Sequence, residues 1–438
     1  MRLNIMTGQD MKRKIQIVFK RLYFWLVILF FICLIFSFRF FVTISLILML
    51  ASALAYYRLE QGKWWNKSFL NLFTGGCFMY FIIQGAALLY TCNFKAGSLI
   101  LLLDLGLIAI PVAIFYSNLV NKESYVKMMA WYTGILFSAS LIALIHAFYL
   151  YMRTGNPAFF FYHPLVHIYS NHAIQFSILT FFGVLFLLDE YSLTRNIKRR
   201  KWILSLLIYF SVFLFLLTSK MIIILYFVYI IYLVVFTDKF FRNRSFRLSG
   251  IAVILTALLF FLVTKSPLRQ RLAEDLGTNI SFIEHDEYSP ADYFNGVQFR
   301  LVSWRFAYEI LNDNNRWLIG VSPGDAQDML NTKYRTLNMF TGGLPENKKG
   351  YLDYHTHNQF LQAVLETGLL GLSAFILICA GMIKLAVHSR NRSMVVFTIL
   401  LLCYCFADAV LKTQYGITLF ILFPLFTYKG TEAASVVS

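Results

Sequence analysis

The chain has 438 residues, 59% of them apolar and only 14% charged, against about 25% charged in an ordinary soluble domain. That composition excludes a single water-soluble globule. The formal charge of +17, from 39 Lys and Arg against 22 Asp and Glu, would point to nucleic acid in a soluble protein. Here the cations have to be placed relative to a membrane first, and no nucleic-acid partner is expected.

The hydrocarbon core of a bilayer takes roughly 20 apolar residues in helical form. Along the chain twelve such runs are predicted, at residues 22–38, 40–57, 69–90, 98–117, 128–152, 173–188, 202–218, 221–236, 250–263, 358–383, 394–411 and 416–428. The expected fold is all-α: an integral membrane protein of about 12 transmembrane helices. Helices one to nine fill residues 1–264, a polar loop domain fills 265–357, and helices ten to twelve fill 358–438. Five of the six cysteines (Cys33, Cys77, Cys379, Cys403, Cys405) lie in apolar runs, and neither they nor Cys92 have metal-ligand or redox spacing, so all six read as small core residues.

Lys and Arg in short loops resist export. With the N-terminus inside, the segments assigned to the cytoplasm hold 24 Lys and Arg, whereas the short breaks opposite hold five: Arg39, Lys95, Arg153, Lys220 and Lys412. Both termini are therefore expected in the cytoplasm and the long loop outside. No small-residue cleavage site follows the first apolar run, so it is expected to remain as a span. The loop is nearly balanced, with ten Lys and Arg against twelve Asp and Glu. Two helices are predicted in it. One covers 297–311, with Phe299, Val302, Phe306 and Ile310 on an apolar face turned to the bundle. The other starts at Ser322, with Pro323 as first helical residue and Asp325 three on from the cap.

The loop re-enters the bundle at His355-Thr-His-Asn-Gln-Phe-Leu-Gln-Ala-Val-Leu-Glu-Thr-Gly-Leu-Leu-Gly371. His357 is thereby expected at the first turn of a helix on the outer surface. A neutral imidazole there can take a proton from a sugar hydroxyl, and nearby cations disfavour its charged form. The plain alternative is an interfacial histidine that caps the helix. Asp104 and His146 lie inside apolar runs, where helix-to-helix hydrogen bonding is the preferred reading over an ion route. No phosphate-gripping loop or dinucleotide fingerprint is present, so no nucleotide and no cofactor are expected.

The pattern His357, Asn358, Leu361 and Gly368 resembles the signature of the O-antigen ligase and polymerase superfamily, bacterial membrane glycosyltransferases of the GT-C type. Three further segments resemble its other elements in order: Thr218-Ser-Lys-Met221, with Lys220 where many members carry Arg; Arg300-Leu-Val-Ser-Trp304 ahead of Leu318-Ile-Gly-Val-Ser-Pro-Gly324; and Asp408-Ala-Val-Leu-Lys-Thr-Gln-Tyr-Gly416, with Asp in place of the commoner Glu. The likeness covers the last half of the chain by motif and the first half by topology alone.

The resemblance implies an inner-membrane enzyme with a periplasmic active site. It would take a glycan from undecaprenyl diphosphate and pass it to a hydroxyl of the lipid A core, inverting the anomeric carbon without a metal. His357 and Arg300 are the implied catalytic pair. Lys220, Arg300 and His172 are the implied diphosphate contacts, Arg as a planar fork and Lys as a point charge. Trp304, Asn358, His355, Asp408 and Gln414 are the implied supporting or substrate-binding residues. His163, His167 and His172 fall within ten residues, but Pro164 interrupts any helix that would align them, so no metal site is expected. There Tyr162 and Tyr169 offer stacking faces for a sugar. The alternatives are repeat-unit polymerisation, which shares donor and motif, a protein-directed oligosaccharyltransferase, and a twelve-span transporter. Against the transporter stand the absence of a visible repeat between the halves and the gathering of polar residues in one external loop, since transporters usually build their sites at the midplane.

Overall fold

The computed structural model describes residues 8–62, 71–236, 280–342 and 350–432, with residues 269, 273 and 277 besides. Among the described residues all regular structure is helical. The first half holds α1 (Gly8–Ile35), α2 (Arg39–Gln61), α3 (Leu72–Ala87), α4 (Phe94–Asp104), α5 (Gly106–Phe115), α6 (Lys122–Thr154), the single turn α7 (Tyr162–Val166) and α8 (Ala173–Leu193). The second holds α9 (Ile197–Leu216), α10 (Lys220–Phe236), α11 (Gly296–Asp313), α12 (Ala326–Thr336), α13 (Gln359–His388), α14 (Arg392–Ala407) and α15 (Gln414–Glu432). Local signals set many of the ends. Asn71 with Thr74 and Asn121 with Ser124 form capping boxes at the starts of α3 and α6, and Gly155 closes α6 at φ 69°.

Seven of these segments are long and apolar enough to cross a membrane: α1, α2, α3 with its extension to Tyr90, α4 with α5, α6, α8 and α13. The protein is an α-helical membrane protein. Of the other predicted spans, α10 and α14 are shorter apolar helices, α9 opens on Lys198, Arg199, Arg200 and Lys201, and the run at 250–263 lies outside the described residues. Apolar side chains such as Phe40, Ile82, Leu102, Ile145 and Trp202 stay exposed on the outer surface, as residues facing acyl chains do.

The last helix, α15, is the centre of the bundle. It packs on α5, α6, α8, α13 and α14, and its run from Leu419 to Phe426 is almost wholly buried. Phe423 sits among the rings of Phe31, Tyr132, Phe182 and Phe397. A second, separate core lies in the loop, where Phe299, Val302, Phe306 and Ile310 of α11 meet Leu330 and Tyr334 of α12 and Val364 and Leu365 of α13. The apolar face of α11 therefore closes the loop's own core, joined to the first turns of α13, and is not simply laid on the bundle.

The helix expected with Ser322 as cap and Pro323 as first residue begins three residues later. Ser322 has φ 87° and its amide pairs with the Glu366 carbonyl at 2.9 Å, so Pro323 and Gly324 lie in a turn and Ala326 is the first helical residue. The Asp325 carboxylate does not cap α12; it accepts from the amides of Cys92 (2.9 Å) and Asn93 (2.8 Å), tying the loop to the start of α4.

Candidate active site

The site forms where the loop's core meets one end of the bundle. Asn358 caps α13, its Oδ1 accepting from the amides of Phe360 (3.0 Å) and Leu361 (3.2 Å). His357, just ahead of the cap, has φ 49°. It therefore lies outside the helix and not in the expected first turn. Its amide donates to His355 Nδ1 at 3.1 Å. Asp408 directly follows α14 and gathers four donors: Tyr404 (3.0 Å), the Ala409 amide (3.0 Å), His357 Nδ1 (3.3 Å) and, more distantly, His355 Nε2 (3.6 Å).

This network assigns the ring protons. Nδ1 of His355 is an acceptor, so its proton is on Nε2, toward Asp408. Burial first, with the charges of His357 and Lys412 adding to it against the pull of Asp408, lowers the His355 pKa to about 4, so that ring is neutral at pH 7. His357 turns Nδ1 to the same carboxylate and donates there, which leaves its Nε2 as the basic atom. Among the described residues, His355, His357 and Asp408 are the group close enough to share a metal, with ligand atoms within 4.8 Å. The donor set fits a metal poorly, because the nitrogen that His355 offers is the protonated one.

Helix α11 supplies the cation. Arg300 Nε donates to the carbonyl of Ala407 at 3.2 Å, and one turn on Trp304 Nε1 donates to the carbonyl of Thr356 at 2.8 Å. The imidazole and the guanidinium thus meet at consecutive residues, Asp408 and Ala407. Beneath them runs a buried polar chain: Thr356 Oγ1 to Gln362 (2.9 Å), Gln362 to Glu366 (2.7 Å), with Gln84 (2.9 Å) and Lys412 (2.6 Å) closing on the same carboxylate. Sequence reasoning missed Glu366 and Gln362, though both lie within the signature stretch at helical spacing from Asn358.

Gly368 interrupts α13 at φ 65°, ψ −161°, a conformation open to glycine almost alone. The break frees backbone groups that pair with the turn before α12. Val321 and Ser322 donate to Leu365 and Glu366 (both 2.9 Å), and Leu369 and Leu370 donate to Trp317 (2.9 Å) and Leu318 (3.3 Å). Two motif elements read separately in sequence are one docked unit.

The remaining predicted residues occupy other helices. Gln414 opens α15 and donates to Thr43 at 2.7 Å. Lys220 opens α10, and His172 precedes α8 with its ring 4.0 Å from that of His163. Tyr169 is not a stacking face: it is buried, donating to the Ala139 carbonyl at 2.8 Å. Asp104 Oδ2 and His146 Nδ1 have no hydrogen-bond partner among the described residues, contrary to the helix-to-helix bonds expected of them.

Fold and site together define a polytopic α-helical membrane protein with a histidine, aspartate and arginine constellation at one end of its bundle. Residues 205–376 match the family model described as O-antigen ligase, which supports the likeness to the O-antigen ligase and polymerase superfamily. The match runs from α9 past the break at Gly368, so it takes in Lys220, Arg300, His357 and Asn358 but not Asp408. That family implies a glycosyltransferase-like enzyme activity in general. No curated protein matches the chain.

Proposed function

We propose that the protein is an O-antigen ligase of the bacterial inner membrane, with both termini cytoplasmic and its site on the periplasmic face. It transfers a glycan from undecaprenyl diphosphate to a hydroxyl of the lipid A core. His357 Nε2 takes the proton from the acceptor hydroxyl while that oxygen attacks the anomeric carbon. The bond from that carbon to the diphosphate oxygen breaks, the electron pair leaves with the lipid diphosphate, and configuration inverts. Asp408 holds the His357 tautomer and steadies the imidazolium as it forms. Arg300 and Lys220 take up charge on the departing diphosphate, the office a divalent ion fills in other transferases.

The observation that carries this reading is the contact of His357 Nδ1 with Asp408 Oδ1 at 3.3 Å beside the Ala407 carbonyl that holds Arg300. Purified full-length protein should move glycan from a polyprenyl diphosphate to core lipid A in detergent, and its His357→Ala and Arg300→Ala variants should not. Normal transfer by either variant refutes that residue's role. A deletion strain should lose all long glycan from its core. Retention of a single repeat unit would make the protein a polymerase, and unchanged lipopolysaccharide with unglycosylated periplasmic proteins would make it a protein-directed transferase.

A further inference from the structure

Between α12 and α13, residues Asp353 and Tyr354 are tied to α12 by four hydrogen bonds. Asn331 accepts from the Asp353 amide at 2.9 Å and donates to the Asp353 carboxylate at 3.2 Å. The Tyr354 carbonyl accepts from the Tyr334 hydroxyl at 2.9 Å and from Gln327 Nε2 at 3.1 Å. Gln327, Asn331 and Tyr334 recur at spacings of four and three, so one face of α12 fixes this stretch of backbone. The ring that the clamp positions is not buried. Tyr354 keeps 46% of its surface exposed, although its ring lies 5.3 Å from that of Phe299 and 6.3 Å from that of Tyr351.

The buried tyrosines of the loop's core use their hydroxyls in the fold: Tyr288 donates to the Ile283 carbonyl at 3.1 Å and Tyr334 to that of Tyr354. The half-buried Tyr351 accepts from the Phe294 amide at 3.2 Å. The Tyr354 hydroxyl makes no hydrogen bond among the described residues. Its ring stands 5.8 Å from the ring of His357, tilted by 47°. Reach decides which substrate meets it. The acceptor oxygen must come within about 3 Å of His357 Nε2 to give up its proton. A sugar ring carrying that oxygen extends only a few bond lengths further, which brings it against Tyr354. The donor's sugar begins one bond beyond the oxygen, at the attacked carbon. A pyranose presents C–H groups on its faces and hydroxyls around its rim, and an exposed aromatic ring with an open phenol is complementary to both.

We propose that Tyr354 is the stacking platform for the acceptor, holding the pyranose ring whose hydroxyl His357 deprotonates. The proposal rests on the transferase reading above and adds to it the group the acceptor must present, a sugar ring and not a simple alcohol. Full-length protein in detergent would be assayed for glycan transfer with acceptor and donor varied in turn, as wild type, Tyr354→Phe, Tyr354→Leu and Tyr354→Ala. Loss of the flat face should raise the acceptor KM about tenfold in the Leu and Ala variants, with kcat and the donor KM close to wild type. Tyr354→Phe keeps the face and should lose about threefold at most. Tyr354→Leu keeps an apolar contact with Phe299, so it separates a lost platform from a loosened loop, and a wild-type acceptor KM in that variant overturns the proposal. A fall in kcat at unchanged KM does so too, since Tyr354 would then only position His357, and so does a rise confined to the donor KM. Binding of lipid-free core oligosaccharide to the same proteins, followed by saturation-transfer NMR, keeps the two readings apart. Weaker binding in Tyr354→Leu, where wild type binds the oligosaccharide but transfers nothing, supports the platform and overturns the transferase. Equal binding by wild type and Tyr354→Leu, in protein that transfers glycan, overturns the platform and leaves the transferase standing.

Discussion

Replacing Gly368 with Ala tests whether the signature glycine is there for its backbone. At φ 65° and ψ −161° a side chain costs roughly 1–3 kcal/mol. The added Cβ would also overlap the carbonyl of Leu318 and the amide nitrogen of Ile319, which are backbone and cannot swing aside. The segment must then withdraw, and the bonds from Leu369 and Leu370 to Trp317 and Leu318 lengthen or break. At about 1 kcal/mol for each bond, the expected loss is about 3–5 kcal/mol. The assay is thermal denaturation of the full-length protein in detergent, followed by tryptophan fluorescence. Gly75→Ala is the control, because nothing lies within 4 Å of a Cβ built there and α3 gains helix propensity. A Gly368→Ala midpoint equal to that of Gly75→Ala would refute the account of the break.

Asp408→Asn should fold normally but lower kcat about 10²–10⁴-fold with little change in KM, since it disturbs the base and not the substrate; an unchanged kcat removes Asp408 from the mechanism. Lys220→Arg should keep its activity if the ammonium serves only as a phosphate-binding charge, and a folded but inactive variant counts against that role. Stability should fall as the pH drops from about 6.5 toward 4. His355 takes up its proton in the unfolded chain over that interval and resists it in the folded one, so the unfolded state binds more protons. The full shift corresponds to about 3 kcal/mol, an upper bound because the ring keeps 21% of its surface exposed. His355→Asn, which can still accept the His357 amide, should flatten that slope, and a slope equal to wild type would show that another group titrates there.

The apolar runs gave away the helices because a bilayer leaves the chain no other way to satisfy its backbone over twenty residues. The helix predicted at 297–311 was legible from its 3.6-residue apolar stripe, whereas the capping box at Asn295 that sets its start at Gly296 was not read in the sequence. What sequence did not reveal was which partners a side chain finds across the fold. Asp408 reads as one more acid near a span end, and only folding brings it to His357, 51 residues away. Arg300 reads as a loop cation, yet its Nε is 107 residues from the carbonyl that fixes it. Ser322, Pro323 and Asp325 carry every local mark of a helix start. Pairing with the freed carbonyl of Glu366 overrides those marks, because an unpaired buried carbonyl costs more than a delayed cap. The central position of α15 was hidden as well, since an apolar helix surrounded by protein and one surrounded by lipid have the same composition.

The signature stretch divides into residues that shape the backbone and one that does not. Asn358 caps α13, Leu361 packs against the loop's core, Gln362 and Glu366 carry the buried polar chain, and Gly368 makes the break on which the preceding turn docks. Each has a structural reason to be what it is. His357 has none of that sort: it sits at φ 49°, where glycine would be relaxed and a histidine is under strain. Its ring supports no helix; it lies edge-on to Phe299 at the margin of the loop's core and reaches an aspartate that Tyr404 and Ala409 already satisfy in part. The role proposed for its Nε2, taking the acceptor's proton, would give a reason for a side chain kept at a backbone position that disfavours it and held by a carboxylate in one tautomer.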